Sequence, residues 1–327
     1  MNSTLPVAGR DAGAPAAPLS RRVDWFNLTF LAGAHLLAAF AIVYVTAIHF
    51  SWWTIGFGVV WSTACGLAIT GGYHRLFAHA SYRASAPLRI FYLLFGAASV
   101  QNSALAWCAD HRRHHAHTDQ DEDPYDIRRG FWWAHIGWIV HRNPKPRDFA
   151  VVGDLSADPL VRFQHRWYLP LAVVFGAGVP AAIGTAWGDP LGAMLVAGWL
   201  RLVMQWHATF SINSLTHMIG AQPFTKRVSA RDSWWVALLT LGEGYHNFHH
   251  RFQIDYRNGI RWYHFDPTKW WVWSMSQVGL ARGLRRVPPL RIEAARAAVR
   301  SGREFTQSPR DTAGRRRGTS KRGTVNV

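Results

Sequence analysis

Eight histidines of this chain fall into three short clusters: His74 and His79 in HRLFAH, His111, His114 and His115 in HRRHH, and His246, His249 and His250 in HNFHH. Residues three and four apart share a helix face. Each HxxHH triplet can therefore aim its rings one way, with His111 and His115 about 6 Å apart along the axis. His74 and His79 are five apart, which suits a helix end where the second ring turns inward. Neutral imidazole is a borderline ligand that serves iron, zinc, copper or nickel. Without carboxylate or thiolate at ligand spacing, structural zinc is a poor match. Four-helix di-iron proteins use Glu and ExxH pairs, so ligation by histidine alone is a different solution. Many charged rings could not sit so close, whereas neutral rings around cations can. The clusters predict a site for more than one metal ion. Asp110, Asp119, Asp123, Glu243 and Asp255 lie in or beside them, where a carboxylate can accept the second ring N–H and set its tautomer.

Each cluster lies just beyond an apolar stretch. No Lys, Arg, Asp or Glu occurs from Trp25 to His74, only Asp189 from Trp167 to Leu200, and none from Leu202 to Thr225. About 20 apolar residues span a bilayer core as a helix, which predicts crossings at Phe26–Ile48, Trp53–Gly71, Tyr168–Ala186 and Leu191–Ile212. The short turns His49–Trp52 and Trp187–Pro190 carry no Lys or Arg, while the long central loop and both termini are basic. The positive-inside tendency then puts the termini, the central loop and the metal site on the cytosolic side. Leu88–Ala106 contains Arg89, Gln101 and Asn102 and reads as a helix at the interface or packed on the bundle. Trp132–Val140 is too short to span and reads as another interfacial piece. The fold class expected is an all-α integral membrane protein. It has four transmembrane helices, interfacial helices and a cytosolic helical cap holding a histidine-ligated di-metal site.

The formal net charge is +17. From Arg282 to the end there are 13 Lys/Arg and 3 Asp/Glu, so this stretch supplies +10 of it. Attraction to anionic headgroups accounts for such a tail without nucleic acid. The organisation expected is a disordered segment 1–22, a membrane domain 23–284 and a basic disordered tail 285–327. Residues 1–22 lack the apolar core of a cleavable signal peptide. Cys65 and Cys108 read as small buried side chains rather than a disulfide.

Four segments together resemble the membrane-bound fatty acid desaturases, and within them the acyl-CoA (stearoyl-CoA type) delta-9 branch. They are HRLFAHASYRASAPLRIF, QNSALAWCADHRRHHAHTDQDEDPYDIRRGFWWAHIGW, INSLTHMIG and GEGYHNFHHRFQIDYRNG. The likeness runs from about residue 25 to 285. It implies two iron ions held by nine histidines, the ninth being His217 of the NSxxH motif, with Asn213 reaching a metal through water. It implies O2 as co-substrate, a long-chain acyl-CoA or other acyl carrier as substrate, and a cis double bond as product. Asn102, Asp110 and Arg142 match positions that contact the coenzyme A part. Ala109 and Asn143 stand where animal members carry basic residues, which keeps phospholipid or carrier-protein acyl chains open. Asp119, Asp123 and Glu243 are expected to support ligand histidines.

The other histidines, His35, His49, His117, His135, His141, His165, His207 and His264, fall outside the pattern and read as surface or packing residues. Gly56, Gly58 and Ser62 on the second crossing are candidates to leave room for the far end of an acyl chain. No heme-binding histidine pair in a soluble domain and no four-cysteine cluster is seen. Electrons are therefore expected from a separate donor: a ferredoxin, a rubredoxin, a cytochrome b5 or a reductase. The basic cytosolic face suits an acidic one. The alternative activity is hydroxylation of an acyl or alkyl chain at the same kind of site.

Overall fold

The computed structural model describes residues 22–142 and 147–303. Among these, three helices are long and apolar enough to cross a membrane: α1 (Trp25–Ile48), α2 (Trp52–Ala78) and Tyr168–Trp187. Side chains fix where the first two begin. Asp24 accepts the Asn27 N–H at 3.1 Å ahead of α1, and Ser51 accepts the Thr54 N–H at 3.3 Å ahead of α2, as N-caps do.

After α2, strand β1 (Arg83–Ala84) leads into α3 (Ala86–Ala98) and α4 (Ala104–His117). The run Leu88–Ala106 is thus two helices and not the single one expected. The chain reverses between them, with Val100 at φ 47° and Asn102 at φ 74°. A short helix α5 (133–140) and α6 (Pro159–Arg166) precede the third apolar helix, α7 (Tyr168–Trp187).

The fourth expected crossing is a continuous helical run, α8 (190–213), packed on α1 and α2. It falls outside the three that qualify by composition. Arg201, Gln205 and His207 lower its hydropathy, and Arg201, Gln205 and Trp206 serve the end of α3. Arg201 donates to the carbonyls of Ala197 (2.9 Å) and Ala98 (3.1 Å), Gln205 to Ser99 Oγ, and the Trp206 indole to the carbonyls of Ser99 and Val100. A helix C-terminus buried in a bundle leaves carbonyls that need such donors.

At the opposite end of α8, Asp189 gathers the turns. It accepts from Tyr44 Oη at 2.8 Å, Thr54 Oγ1 at 2.5 Å and the Gly192 N–H at 2.9 Å. Beyond α8 come α9 (Trp234–Leu239), α10 (His246–Arg251) and α11 (Pro267–Gln277). Strand β2 (Ala281–Arg282) then pairs antiparallel with β1.

The tail expected to be disordered from residue 285 is ordered at its start. Helix α12 (Pro289–Arg300) buries Ile292 and Ala295 against Phe224, Phe248 and Phe252. Its arginines hide in the sequence a small apolar stripe that is enough to dock it. Residues 1–21 and 304–327, the remaining parts of the two expected tails, lie outside the described residues.

Candidate metal centre

Nine histidines converge into two adjacent groups, each with its ligand atoms within 4.8 Å of one another. One holds His74, His79, His111, His115 and His249; the other holds His114, His217, His246 and His250. Three local features bring them there. The last turns of α2, from Ala68, are wider than an α-helix, and the His79 N–H donates to the His74 carbonyl five residues back at 3.2 Å. Such widening is found at functional sites; here it sets rings five residues apart at 4.9 Å between centroids. Helix α4 sends His111 and His115 to the first group and His114 to the second. Helix α10 does the converse, with His249 in the first group and His246 and His250 in the second. Each HxxHH triplet is therefore divided between the groups. His217 comes from the turn Leu215–His217 just past α8.

The spacing fits metal ions. Nε2 atoms face one another at 3.0 Å for His74 and His249, 3.0 Å for His249 and His115, and 2.8 Å for His79 and His111. In the second group, His250 stands 3.0 Å from His246 and 3.3 Å from His114. Two nitrogens at right angles around one ion, each about 2.1 Å from it, would be about 3.0 Å apart. His217 Nε2 is buried with no hydrogen-bond partner, which a metal would supply. Seven of the rings are held toward the neutral form that binds metal. Burial first, then the neighbouring imidazoles, holds His79, His111, His115, His246, His249 and His250 well below the ordinary range. His217 is pushed down to about 3, mostly by burial and then by His114.

Three carboxylates stand behind the rings. Glu243 Oε2 accepts from His74 Nδ1 at 2.9 Å. Asp123 Oδ1 accepts from His114 Nδ1 at 2.8 Å. Asp119 acts through Ser229: His217 Nδ1 donates to Ser229 Oγ at 2.7 Å, and that hydroxyl donates to Asp119 at 2.5 Å. In all three cases the Nδ1 hydrogen is committed outward and Nε2 turns to the group, the arrangement typical of metal-bound histidine. Asp255 binds Arg257 and the Val287 N–H instead.

Several neighbours carried no signal that the sequence reading used. Arg75, buried, donates to Glu243 and Asp266 at 2.9 Å each and to the Tyr256 carbonyl. Its position at the end of a charge-free stretch was the available clue. The Trp107 ring lies on His111, 4.8 Å between centroids and 19° from parallel. Ser229 lies 110 residues from the aspartate it bridges, and nothing local marks it.

The residues expected at the head group are not hydrogen-bonded to one another among the described residues. The Asn102 N–H donates to Tyr168 Oη at 3.1 Å. Asp110 accepts from Arg147 Nε with both oxygens at 2.9 Å. Arg142 is exposed, its N–H on the Arg22 carbonyl. Asn213 lines a cavity of about 230 Å³ between α2 and α8, whose wall includes His74, His111, His114 and His246 from both groups. Ser62 lines it too, whereas Gly58 lies against Val196 and Gly56 faces open space. Gly66 lets the Leu241 side chain pack closely into the wall, since a Cβ there would stand 2.5 Å from it.

Residues 50–281 match the fatty acid desaturase family profile. The chain is 43% identical over 275 residues to the probable acyl-CoA desaturase of Schizosaccharomyces pombe, covering 84% of this chain and 57% of that one. It is 43% identical over 278 residues to acyl-CoA desaturase 1 of Saccharomyces cerevisiae, covering 84% and 54%. It therefore spans about half the length of these two yeast relatives. Stearoyl-CoA desaturase 5 of Bos taurus is 35% identical over 292 residues, 86% of this chain and 85% of that one. The sn-1 stearoyl-lipid 9-desaturase of Anabaena variabilis is 33% identical, covering 81% and 94%. With the histidine geometry, the family match over most of its length means that the chain belongs to the fatty acid desaturase family.

Proposed function

We propose that the protein is a membrane di-iron desaturase that introduces a cis double bond, at the delta-9 position, into a long-chain acyl substrate, most simply an acyl-CoA. The observation that carries this reading is the pair of all-imidazole groups opening on a largely apolar cavity between two long helices. His74, His79, His111, His115 and His249 would hold one iron. His114, His217, His246 and His250 would hold the other, with Asn213 completing it through water. Bound there, two irons supply with O2 the oxidising power that unactivated C–H bonds require and no side chain provides.

The chain's own residues do the rest. The cavity lays an acyl chain along Trp107, His111 and His246, which is positioning. Its apolar wall keeps water from the reacting carbons. Glu243, Asp123 and Asp119 hold the ligand rings in one tautomer. Asn102 and Arg142 meet the head group, and Asp110 orients Arg147 as a further cation for phosphate. Helices α1, α2, α7 and α8 cross the bilayer, with both termini and the histidine-bearing cap in the cytosol. A separate donor protein supplies the electrons.

The names of the relatives support two carriers, coenzyme A and a glycerolipid. The deciding experiment is expression in a desaturase-deficient host, with double bonds located in its fatty acids. The parent chain is expected to restore them, and His→Ala at His111, His115, His249 or His217 to abolish them. Variants that desaturate normally refute the assignment. Gain of one oxygen in place of loss of two hydrogens would make it a hydroxylase.

A further inference from the structure

Three histidines outside the two groups form an array of their own. His35 on α1, His207 on α8 and His135 on α5 join through their ring nitrogens in one unbroken chain. His35 Nδ1 is 2.7 Å from the Leu31 carbonyl, and His35 Nε2 is 3.0 Å from His207 Nε2. His207 Nδ1 is 3.0 Å from His135 Nε2, and His135 Nδ1 is 3.0 Å from Ser214 Oγ. The Ser214 hydroxyl also reaches the Phe210 carbonyl at 2.9 Å. Ionisable side chains on membrane helices are costly, and they mark proton and ion paths more often than packing.

The partners dictate where the hydrogens sit. A carbonyl only accepts, so His35 Nδ1 carries a hydrogen. In the neutral array, His207 then donates from Nε2 to His35, His135 donates from Nε2 to His207, and Ser214 donates to His135 Nδ1. One added proton is accommodated as well. His135 then donates from Nδ1 to Ser214 Oγ, and the hydroxyl turns to the Phe210 carbonyl. The extra charge can rest on any of the three rings with every hydrogen bond kept. Both nitrogens of His207 face other rings, so the trio cannot close around a single metal ion. The rings against it are Phe131, Trp132 and Phe210. On the packed elements, His141 is bonded instead to the Gly137 carbonyl, and Arg201 to those of Ala197 and Ala98.

Ser214 directly follows Asn213, which lines the cavity shared with both metal groups. We propose that His35, His207 and His135 are a proton relay that carries one proton at a time through the bundle and passes it through Ser214 toward the metal centre. This rests on the desaturase reading, in which forming one double bond with O2 takes up two electrons and two protons and releases two waters. The electrons come from the donor protein, and the protons must enter a buried site.

The test is nitrogen NMR of full-length protein with isotopically labelled histidine, in lipid nanodiscs, with diamagnetic zinc in the metal groups. The three rings are expected to titrate as one coupled unit, and His207→Phe to separate His35 from His135. In iron-loaded protein, His207→Phe is expected to keep its metal content, lose roughly tenfold in turnover and recover with added imidazole. That loss is less than for a direct proton donor because Ser214 intervenes. Independent titration of the rings in the parent protein overturns the relay. So does a His207→Phe variant with parent turnover and an unchanged solvent isotope effect. Failure of the desaturase reading looks different: the parent forms no double bonds while the rings still titrate together.

Discussion

Glu243→Gln removes one charge from a carboxylate that is 2% exposed and accepts from His74, Arg75 and Asn258. Burial alone would raise this carboxyl, but His74 and Arg75 together hold it at about 2 against an ordinary 4.5. At about 1.36 kcal/mol for each pH unit, the ionised form is favoured by about 3 kcal/mol. Glutamine keeps an acceptor for His74 Nδ1 but leaves Arg75 with Asp266 as its one carboxylate partner among the described residues. Because the carboxyl is depressed in the folded protein, its contribution is complete above an ordinary 4.5 and disappears as pH falls toward 2. The variant is expected to unfold about 3 kcal/mol more easily at neutral pH, with the gap to the parent closing in acid. Affinity for the ion in the His74 group should fall about 10–100-fold, with the other group unaffected. Thermal unfolding across pH and chelator competition with metal counting measure both quantities. Parent-like stability together with unchanged competition for both ions would refute the assignment of Glu243 as the anchor of His74.

Ser229→Ala cuts the link from His217 to Asp119 and should weaken the second group alone, by about tenfold; partial chelation should then leave one ion per chain. Gly96→Ala would place a methyl in the Tyr73 ring, whose hydroxyl accepts from Gln164 Nε2 at 2.7 Å. A loss of about 1–3 kcal/mol is expected from overpacking, while Gly33→Ala, with open space around it, should be tolerated in the same unfolding assay. The Asp232 carboxyl is raised by burial to about 7 from 3.8, so the folded protein favours its protonated form. The resulting penalty grows as pH rises from 3.8 to about 7 and stays constant above it. Asp232→Asn should therefore raise Tm above pH 7 and leave it unchanged near the lower limit.

Eight of the nine converging histidines were legible from their clustering, His217 only from the NSxxH likeness, and α1, α2 and α7 because membrane helices exclude charge. Which ring joins which group was not, since the division of each triplet depends on how α4 faces α10. The break between α3 and α4 was hidden for a similar reason. Its carbonyls accept from Arg201 and Trp206, and its Ser99 hydroxyl from Gln205, roughly 100 residues further on, and in sequence those polar groups only make α8 a poorer membrane helix. Docking of α12 through Ile292 and Ala295 was masked by a charge count that averages over both of its faces. The three carboxylates were found by adjacency to the clusters, yet Ser229, which makes Asp119 effective, is joined to it only by folding.

Asp189 leaves a mark on how the bundle can move. One carboxylate rivets the Tyr44, Thr54 and Gly192 corners together, and Thr54 lies about 30 Å along its helix from His74. Like tongs, the assembly is pinned at the handle, away from the histidine end. The end of the bundle far from the histidines is thus the one that a single buried carboxylate holds together.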